Sequence, residues 1–478
     1  LIDLQKSVDH KIFRLIGACA DELGLETYVV GGYVRDAILN RGAAKDIDIV
    51  AVGSGIELAK AVAKKIGSNR VNVFKNFGTA QVISDDIEIE FVGARKESYD
   101  RNSRNPSVEN GSLDDDQKRR DFTINALAIC LNKDRFGELI DPFNGIEDLA
   151  NKIIRTPLEP GQTFSDDPLR MMRAIRFATQ LDFEIEETCL DSIKEQNDRL
   201  KIISAERIST ELNKIMASPC PSKGLILLFK TRLLKHFLPE VTALAGVEEI
   251  EGQSHKDNFY HTVIVVDNLA ATSDKLWLRY AALFHDIGKP VTKKFIPGTG
   301  WTFRSHEFVG GKMLNKIFQR MKFPLGEPLR YVKKIVQLSS RPQSVADDTA
   351  TDSAARRLLI EAGDDVDDLM LLCEADITTR NKKKKQEYLN NFSLVRAKLV
   401  EVEEKDHLRN FQPPIGGEEI MQIFQLKPGP QIGELKSAIK DAILEGEIEN
   451  EYEQAYAYAL KKATEMGLKP IIENDQKA

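Results

Sequence analysis

Asp46 and Asp48 stand one residue apart in DIDIV, a run in which acid and isoleucine alternate. Alternation of this kind predicts a strand, and side chains at i and i+2 of a strand share a face. The two carboxylates then lie side by side, and like charges so close repel unless a cation stands between them. Upstream, Val29 and Val30 run into Gly31 and Gly32, and Arg35 follows one helical turn later. The glycines let the backbone approach a ligand with no Cβ in the way. An acid pair and an arginine around such a turn suit Mg²⁺-dependent phosphoryl or nucleotidyl transfer. Mg²⁺ takes one or two protein carboxylates and fills its other positions with water and substrate phosphate oxygens. Two solvated acids beside a turn that needs glycine is the plainer alternative. The ordered set GGxxRD, nine intervening residues, then DxD, is far more specific than a lone DxD.

Three further groups could carry chemistry. Arg119-Arg120 precede DFTIN and the apolar run ALAICL; beside a nucleotide site they could grip phosphate and ribose. Asp166-Asp167-Pro168 open a helix that carries Arg170, Arg173 and Arg176. Acid and proline suit a first turn, and arginines three apart wind slowly around one side over roughly 9 Å. Alone, that pattern reads as a solvated basic face. The third group is built on histidine. Of seven histidines, four fall between His255 and His306. His285-Asp286 close the apolar run RYAALF just before Gly288 and Pro290. A buried His-Asp pair needs partners. With His261 and Asp376 it offers a donor set for one divalent ion, with His306 alone a poor second site, and imidazole-rich sets favour transition metals over Mg²⁺.

The elements that must position these groups divide the 478 residues into an α/β head and a helical remainder. Lys6–Leu23 has helical periodicity and stops at Gly24. Ile56–Ile66 predicts a helix, and Val71–Val73, Thr79–Ser84 and Ile87–Val92 predict strands, the last with Glu88 and Glu90 on one face. Tyr99–Asp116 reads as a mobile loop, and Asp141–Gly145 as a turn that closes the head. Beyond about residue 150, strand signals fade. The expected division is a head over 1–150, a neck over 151–220, a helical domain over 221–400 and a helical tail over 401–478, α+β as a whole. Lys382–Lys385 form a basic run on helical sequence. Hydrophobic content of 42% and charged content of 29% are those of globular protein. No apolar run approaches the roughly 18 residues of a membrane span. The N-terminus lacks a signal-peptide layout. Five scattered cysteines with no CxxC suggest neither a disulfide framework nor a zinc knuckle. A reducing, cytoplasmic setting is expected. The net charge of −7 allows a nucleic-acid partner only through a local basic face.

Together the motifs resemble the bacterial tRNA nucleotidyltransferase and poly(A) polymerase family, with a polymerase-β-like head and a later region similar to the HD metal-dependent phosphohydrolases. The resemblance covers nearly the whole chain. It implies that Asp46 and Asp48 bind Mg²⁺, with Glu90 as a third acid, and that Gly31, Gly32 and Arg35 grip the triphosphate. Arg120 matches the ribose and phosphate motif. Asp167 and Arg170 match the amino-acid template that reads the incoming base, and Arg173 and Arg176 its companion nucleotide ligands. His261, His285, Asp286 and Asp376 match the HD metal ligands. The implied activity adds CMP and AMP from CTP and ATP to the 3′ end of tRNA. The implied alternatives are poly(A) synthesis, partial A-only or CC-only addition, and an HD-type phosphohydrolase with a tRNA-binding head. Two places depart from the family pattern. The template motif begins Asp166 where the family usually has Glu, and Ser339 in LSSRP stands where the HD region often has histidine. The second departure argues against a second HD metal.

Overall fold

The computed structural model describes residues 4–42, 46–68, 71–74, 78–84, 87–98, 107–347, 351–406 and 414–468. The chain forms two compact units, Leu1–Thr242 with Arg320–Phe323, and Ala243–Gln319 with Pro324–Ala478. Among the described residues, no helix is long and apolar enough to cross a membrane.

The first unit is built on a seven-stranded mixed sheet in the order β3-β4-β5-β2-β1-β8-β9. Its strands are β1 (Glu26–Val30), β2 (Asp46–Val52), β3 (Val71–Phe74), β4 (Thr79–Ser84), β5 (Ile87–Gly93), β8 (Ala128–Cys130) and β9 (Leu139–Ile140). A separate hairpin supplies β6 (Arg95–Ser98) and β7 (Ser107–Asn110). β2 and β5 are parallel, and the other pairings in the sheet are antiparallel. β5 alternates as its sequence requires: Ile89 and Phe91 are buried while Glu88 and Glu90 face out. The helices of the unit begin with α1 (Leu4–Val8), α2 (Lys11–Leu23), α3 (Gly32–Ile38) and α4 (Gly55–Ile66). α5 (Leu113–Lys118) and α6 (Gly145–Asn151) follow. Then come α7 (Pro160–Asp166), α8 (Leu169–Leu181), α9 (Glu187–Gln196) and α10 (Ala205–Met216).

Three sequence expectations need correction. The helix expected over Lys6–Leu23 is two helices, because the His10 side chain accepts a hydrogen bond from Ile12 N and caps α2, ending the first segment. The segment Tyr99–Asp116 is not one loop. Tyr99–Pro106 lies outside the described residues, but Ser107–Asn110 is β7, and Ser112 with Asp115 forms a capping box that starts α5. Strand signals do not vanish after 150 either. The second unit carries two short hairpins, Glu249–Ile250 with Gln253–Ser254 and Lys294–Ile296 with Gly300–Thr302. The second turns at PGTG, where Gly298 and Gly300 have φ of 79° and 90°.

The second unit is otherwise helical. The helices that matter below are α11 (Asn258–Ala270), α12 (Leu276–Phe284), α13 (His306–Met321), α14 (Glu327–Leu338), α15 (Val366–Ala375) and α16 (Lys382–Asp406). α12 is buried from Leu278 to Phe284, which explains its unbroken apolar sequence. A separate apolar cluster, with Ile420, Phe424, Leu435, Ile439 and Ala459 at its centre, packs the last three helices. Lys382–Lys385 are exposed on α16.

Candidate active site and metal centre

Three strands and a turn set the first site. Val30 lies opposite Asp48 in the β1–β2 ladder, and Asp48 opposite Glu90 in the β2–β5 ladder. β1 runs straight into Gly31, whose φ of 73° is a left-handed conformation open to glycine. A Cβ there would lie 3.2 Å from Arg120 Nη1 and 3.4 Å from Asp48 Oδ2. The missing side chain thus lets the chain turn in a gap between a guanidinium and a carboxylate. Asp46 and Glu90 are exposed, and Asp48 is half-buried. Burial raises the Asp48 pKa, Arg120 opposes this, and Asp46 pushes it up again. Glu90 is raised too, by burial and then by Asp48. Asp48 and Glu90, both disfavoured in their ionised form and with Asp46 on the same strand as Asp48, lie under a crowded glycine turn and fit a hard cation with oxygen ligands.

The arginines around this turn are held from behind. Arg35 donates from Nε and Nη2 to the two Asp36 oxygens, each at 2.9 Å, and from Nη1 to Asn125 Oδ1 at 2.8 Å. Arg120 Nε donates to Asp116 Oδ2 at 3.1 Å and Arg119 Nε to Asp116 Oδ1 at 2.9 Å. Asp116, wholly buried on α5, therefore aims both arginines. In the sequence it is one acid of the polar stretch Tyr99–Asp116, with nothing to mark it as buried.

The residues that the resemblance assigns to the template sit at a corner. α7 ends at Asp166, and Asp167 is extended with φ −134° and ψ 100°, as a residue before proline should be. Its Oδ1 accepts from Leu169 N at 3.1 Å. Arg170 donates to the carbonyl oxygens of Arg119 and Thr163. Arg173 Nε donates to Asp121 Oδ2 at 2.7 Å. Arg176, 8% exposed, places Nε 2.5 Å from Glu211 Oε2, an ion pair with poor hydrogen-bond aim. The arginine helix is therefore no solvated face. Phe177 gathers it, with the guanidinium carbons of Arg176, Arg35 and Arg173 at 3.9, 5.0 and 5.5 Å from its ring centroid. Burial alone would raise the pKa of Asp121, but Arg173, Asn125 and Arg170 outweigh it and hold it at about 2. Asp121, Arg207 and Glu211, which pair with Arg173, Asp167 and Arg176, are contacts that sequence reasoning missed. Asp121 directly follows the two arginines, and that adjacency was the one local signal.

The second unit brings its histidines together. His261 Nε2 lies 2.8 Å from Asp376 Oδ1, and His285 Nε2 lies 3.3 Å from Asp286 Oδ2 and 3.5 Å from Asp376 Oδ1. Ligand atoms of His261, His285 and Asp286 fall within 4.8 Å of one another. Each Nδ1 is engaged elsewhere: His261 with Thr378 Oγ1 at 2.9 Å, His285 with Ala282 O at 2.8 Å and His306 with Phe303 O at 2.9 Å. An Nδ1 proton given to oxygen leaves the Nε2 lone pair free to face inward, the usual outer support of a metal-binding histidine. The buried Nε2 of His285 has no hydrogen-bond partner. Burial opposes a charge on His285, but Asp286 and Asp376 outweigh it and push its pKa up to about 10. The cluster thus demands a positive charge, which a divalent cation supplies as well as a proton does. His306 Nε2 is 3.4 Å from Asp286 Oδ1. A cavity of about 350 Å³ opens over the cluster, lined also by Ser339, Lys289 and Tyr388. Ser339 spends its hydroxyl on Val336 O at 2.9 Å.

One glycine makes this gathering possible. A Cβ on Gly288 would lie 2.0 Å from His306 O, so the HD turn and the start of α13 touch backbone to backbone. Gly288→Ala should destabilise the chain by about 1–3 kcal/mol, the usual cost of overpacking. Gly326→Ala, with open space at its Cβ position, should not. Thermal unfolding of the two variants decides it, and equal midpoints would refute the contact.

Comparison with known proteins matches three family models in chain order. They are the "Poly A polymerase head domain" over residues 27–155, "Probable RNA and SrmB- binding site of polymerase A" over 182–244 and "HD domain" over 258–381. The A-adding tRNA nucleotidyltransferase of Deinococcus radiodurans is 31% identical over 423 residues, which are 86% of this chain and 90% of that one. The chain belongs to the tRNA nucleotidyltransferase family. Other members match over shorter spans. The A-adding enzyme of Aquifex aeolicus is 47% identical over 34% of this chain and 19% of its own length. The CCA-adding enzyme of Enterococcus faecalis is 42% identical over 45% of this chain and 50% of its own. Among solved structures, a tRNA nucleotidyltransferase complexed with a primer tRNA and an incoming ATP analogue aligns with a TM-score of 0.56 at 27% identity. It covers 80% of this chain and 98% of that one. The Thermotoga maritima CCA-adding enzyme complexed with tRNA shares the fold, with a TM-score of 0.61 at 22% identity over 96% of this chain and 97% of that one.

Proposed function

We propose that the chain adds CMP and AMP to the 3′ end of tRNA from CTP and ATP. The primer 3′ oxygen attacks the α-phosphorus, the bond to the β-phosphate breaks, and pyrophosphate leaves. The observation that supports this most is the glycine-only turn that sets Gly31 between Asp48 and Arg120. Asp46, Asp48 and Glu90 would hold Mg²⁺, and Gly31, Gly32, Arg35 and Arg120 would receive the triphosphate and ribose. Mg²⁺, when bound, neutralises the triphosphate and favours the primer alkoxide. The rest is positioning and fixed charge from the chain itself. Asp167 accepts from the exocyclic amino group of cytosine or adenine and Arg170 donates to a ring acceptor, so one pair reads both bases. Arg173 is a companion nucleotide ligand, whereas Arg176, buried and paired with Glu211, supports the site from behind. The four regions read from the sequence become head (1–150), neck (151–220), HD domain (221–400) and tail (401–478). The HD cluster is an accessory site for one transition-metal ion. A reducing, cytoplasmic setting agrees with five free cysteines, four of them buried.

A second reading has its own support. The Deinococcus radiodurans relative, matched over 90% of its length, is named as an A-adding enzyme. Transcripts ending before C74, after C75 and after A76, offered CTP or ATP separately, separate the outcomes. Stepwise growth to CCA supports full addition, A added only after C75 supports the partial enzyme, and long A tails would mean poly(A) synthesis.

The template assignment carries its own prediction. Asp167→Ala and Arg170→Ala should cut discrimination of CTP over UTP and of ATP over GTP by roughly 10- to 100-fold, since an unmade buried hydrogen bond costs about 1–3 kcal/mol. Mg²⁺ dependence should change little. Unchanged incorporation ratios would make both residues structural.

A further inference from the structure

We infer that Arg207, on α10, is the positioning residue that fixes the base-reading carboxylate of Asp167 and so determines nucleotide specificity. The inference rests on the template reading above and extends it to a residue outside the template motif. Arg207 Nη2 donates to Asp167 Oδ2 at 2.9 Å, across forty residues of sequence. The other oxygen, Oδ1, accepts from Leu169 N at 3.1 Å. A carboxylate accepts at about four lone-pair positions. One on each oxygen is therefore taken by the protein, and the plane of the group is set by two contacts on opposite sides. A carboxylate free to rotate would meet donors at many angles. One with a set plane offers its remaining lone pairs in fixed directions, as recognition of a planar base edge requires.

The backbone of the same corner is held without Arg207. Gln196 Nε2 donates to Gly161 O at 2.8 Å, Arg199 Nη2 to Ser165 O at 2.7 Å and Arg170 to Thr163 O. Pro168 restrains Asp167 itself to its extended conformation. Removing Arg207 therefore releases the side chain and leaves the corner in place. α10 is also well placed for the task. Glu211, one turn beyond Arg207, reaches Arg176 and lies 4.0 Å from Arg173 Nη1. Positions i and i+4 share a helix face, so α10 presents a base and then an acid to the acid and arginines of the template helix. The adjoining face is anchored by buried Ile208, Leu212 and Ile215. At 39% exposure the Arg207 side chain can be replaced without opening a core.

The test compares Arg207→Met, Arg207→Gln, Arg207→Lys and Asp167→Ala with the parent chain, on tRNA lacking its 3′ CCA and offered each of the four nucleotides. Arg207→Met should lower CTP-over-UTP discrimination at least tenfold, mainly through a higher KM for CTP, with kcat reduced less. Arg207→Lys should recover part of that loss, because it restores a donor at the end of a stem of similar length. A merely structural surface pair would move neither the ratio nor the split between KM and kcat. Should the Met variant not fold, Arg207→Gln carries the same expectation. Unchanged discrimination in the folded Arg207 variants, with discrimination lost in Asp167→Ala, overturns the role of Arg207 alone. Unchanged discrimination in Asp167→Ala as well overturns the template reading and this inference with it.

Discussion

Asp48→Asn should lower the rate of both C and A addition by about 10³-fold or more, which is a loss of about 4 kcal/mol of transition-state stabilisation. It should do so without lowering the melting temperature. Both halves follow from the same geometry. The carboxylate and Arg120 both lie against the Gly31 turn, close to where a Cβ would stand. Burial and Asp46 raise its pKa in the folded chain. A raised acid pKa means that the ionised form is disfavoured by folding, so at neutral pH the charge costs stability that a neutral amide returns. The fold is held by the pairings around Asp48, not by its charge. Asp46→Asn should cost a similar factor in rate but move the melting temperature less, because Asp46 is exposed. Single-turnover incorporation and calorimetry on both variants, with filter binding of tRNA as the control, test the set. Survival of C addition with loss of A addition would mean that the two nucleotides do not share this site.

The acid pair was legible because everything that places it is local. A strand repeats every two residues, so DIDIV alone predicts that Asp46 and Asp48 share a face, and the ladder with β1 then brings the Gly31 turn beside them. The HD cluster was half legible. His285 and Asp286 are neighbours, but only the backbone contact of Gly288 with His306 shows how α13 is brought against them. Glycine in HDIG reads as a helix stop from sequence and is a contact in space.

The supports of the site were not legible, for a physical reason. Asp116 lies in a polar stretch that reads as loop, and its burial depends on a capping box that starts a helix inside that stretch. Arg207 and Glu211 lie on a helix whose amphipathic pattern reports only the buried Ile208 and Leu212. The charged side of such a helix looks the same whether it meets water or the arginines of another helix. Arg176 and Glu211 form an ion pair across thirty-five residues of sequence, and no period in the sequence connects them. Pairing of this kind is set by packing, and only coordinates reveal it.

Asp286→Ala should abolish tight binding of a transition metal and any hydrolysis of a phosphomonoester or a 2′,3′-cyclic phosphate, yet leave nucleotide addition within a few-fold of the parent. Asp286 is the member of the cluster that most others touch. Its Oδ2 lies 3.3 Å from His285 Nε2 and 3.8 Å from His261 Nε2, and its Oδ1 lies 3.4 Å from His306 Nε2. It also pairs with Lys289 at 2.7 Å. Burial would raise its pKa, but His285, His306 and Lys289 outweigh it and hold the carboxyl well below the usual range. Without it, three imidazoles and an ammonium face one another with Asp376 as the remaining acid of the cluster. Its loss should also destabilise the second unit, since a buried charge stripped of its partner typically costs about 3–5 kcal/mol. Asp286→Asn, which keeps the shape and one acceptor, separates loss of metal from loss of fold. Imidazole ligands favour Ni²⁺, Co²⁺ or Mn²⁺ over Mg²⁺, so metal analysis after dialysis should find at most one such ion per parent chain and none in Asp286→Asn. His306 cannot complete a second site with Ser339, whose hydroxyl is committed to Val336 O. Two ions per chain would refute that count. Collapse of nucleotide addition in a folded Asp286→Asn would show that the HD cluster serves transfer itself and is no separable accessory.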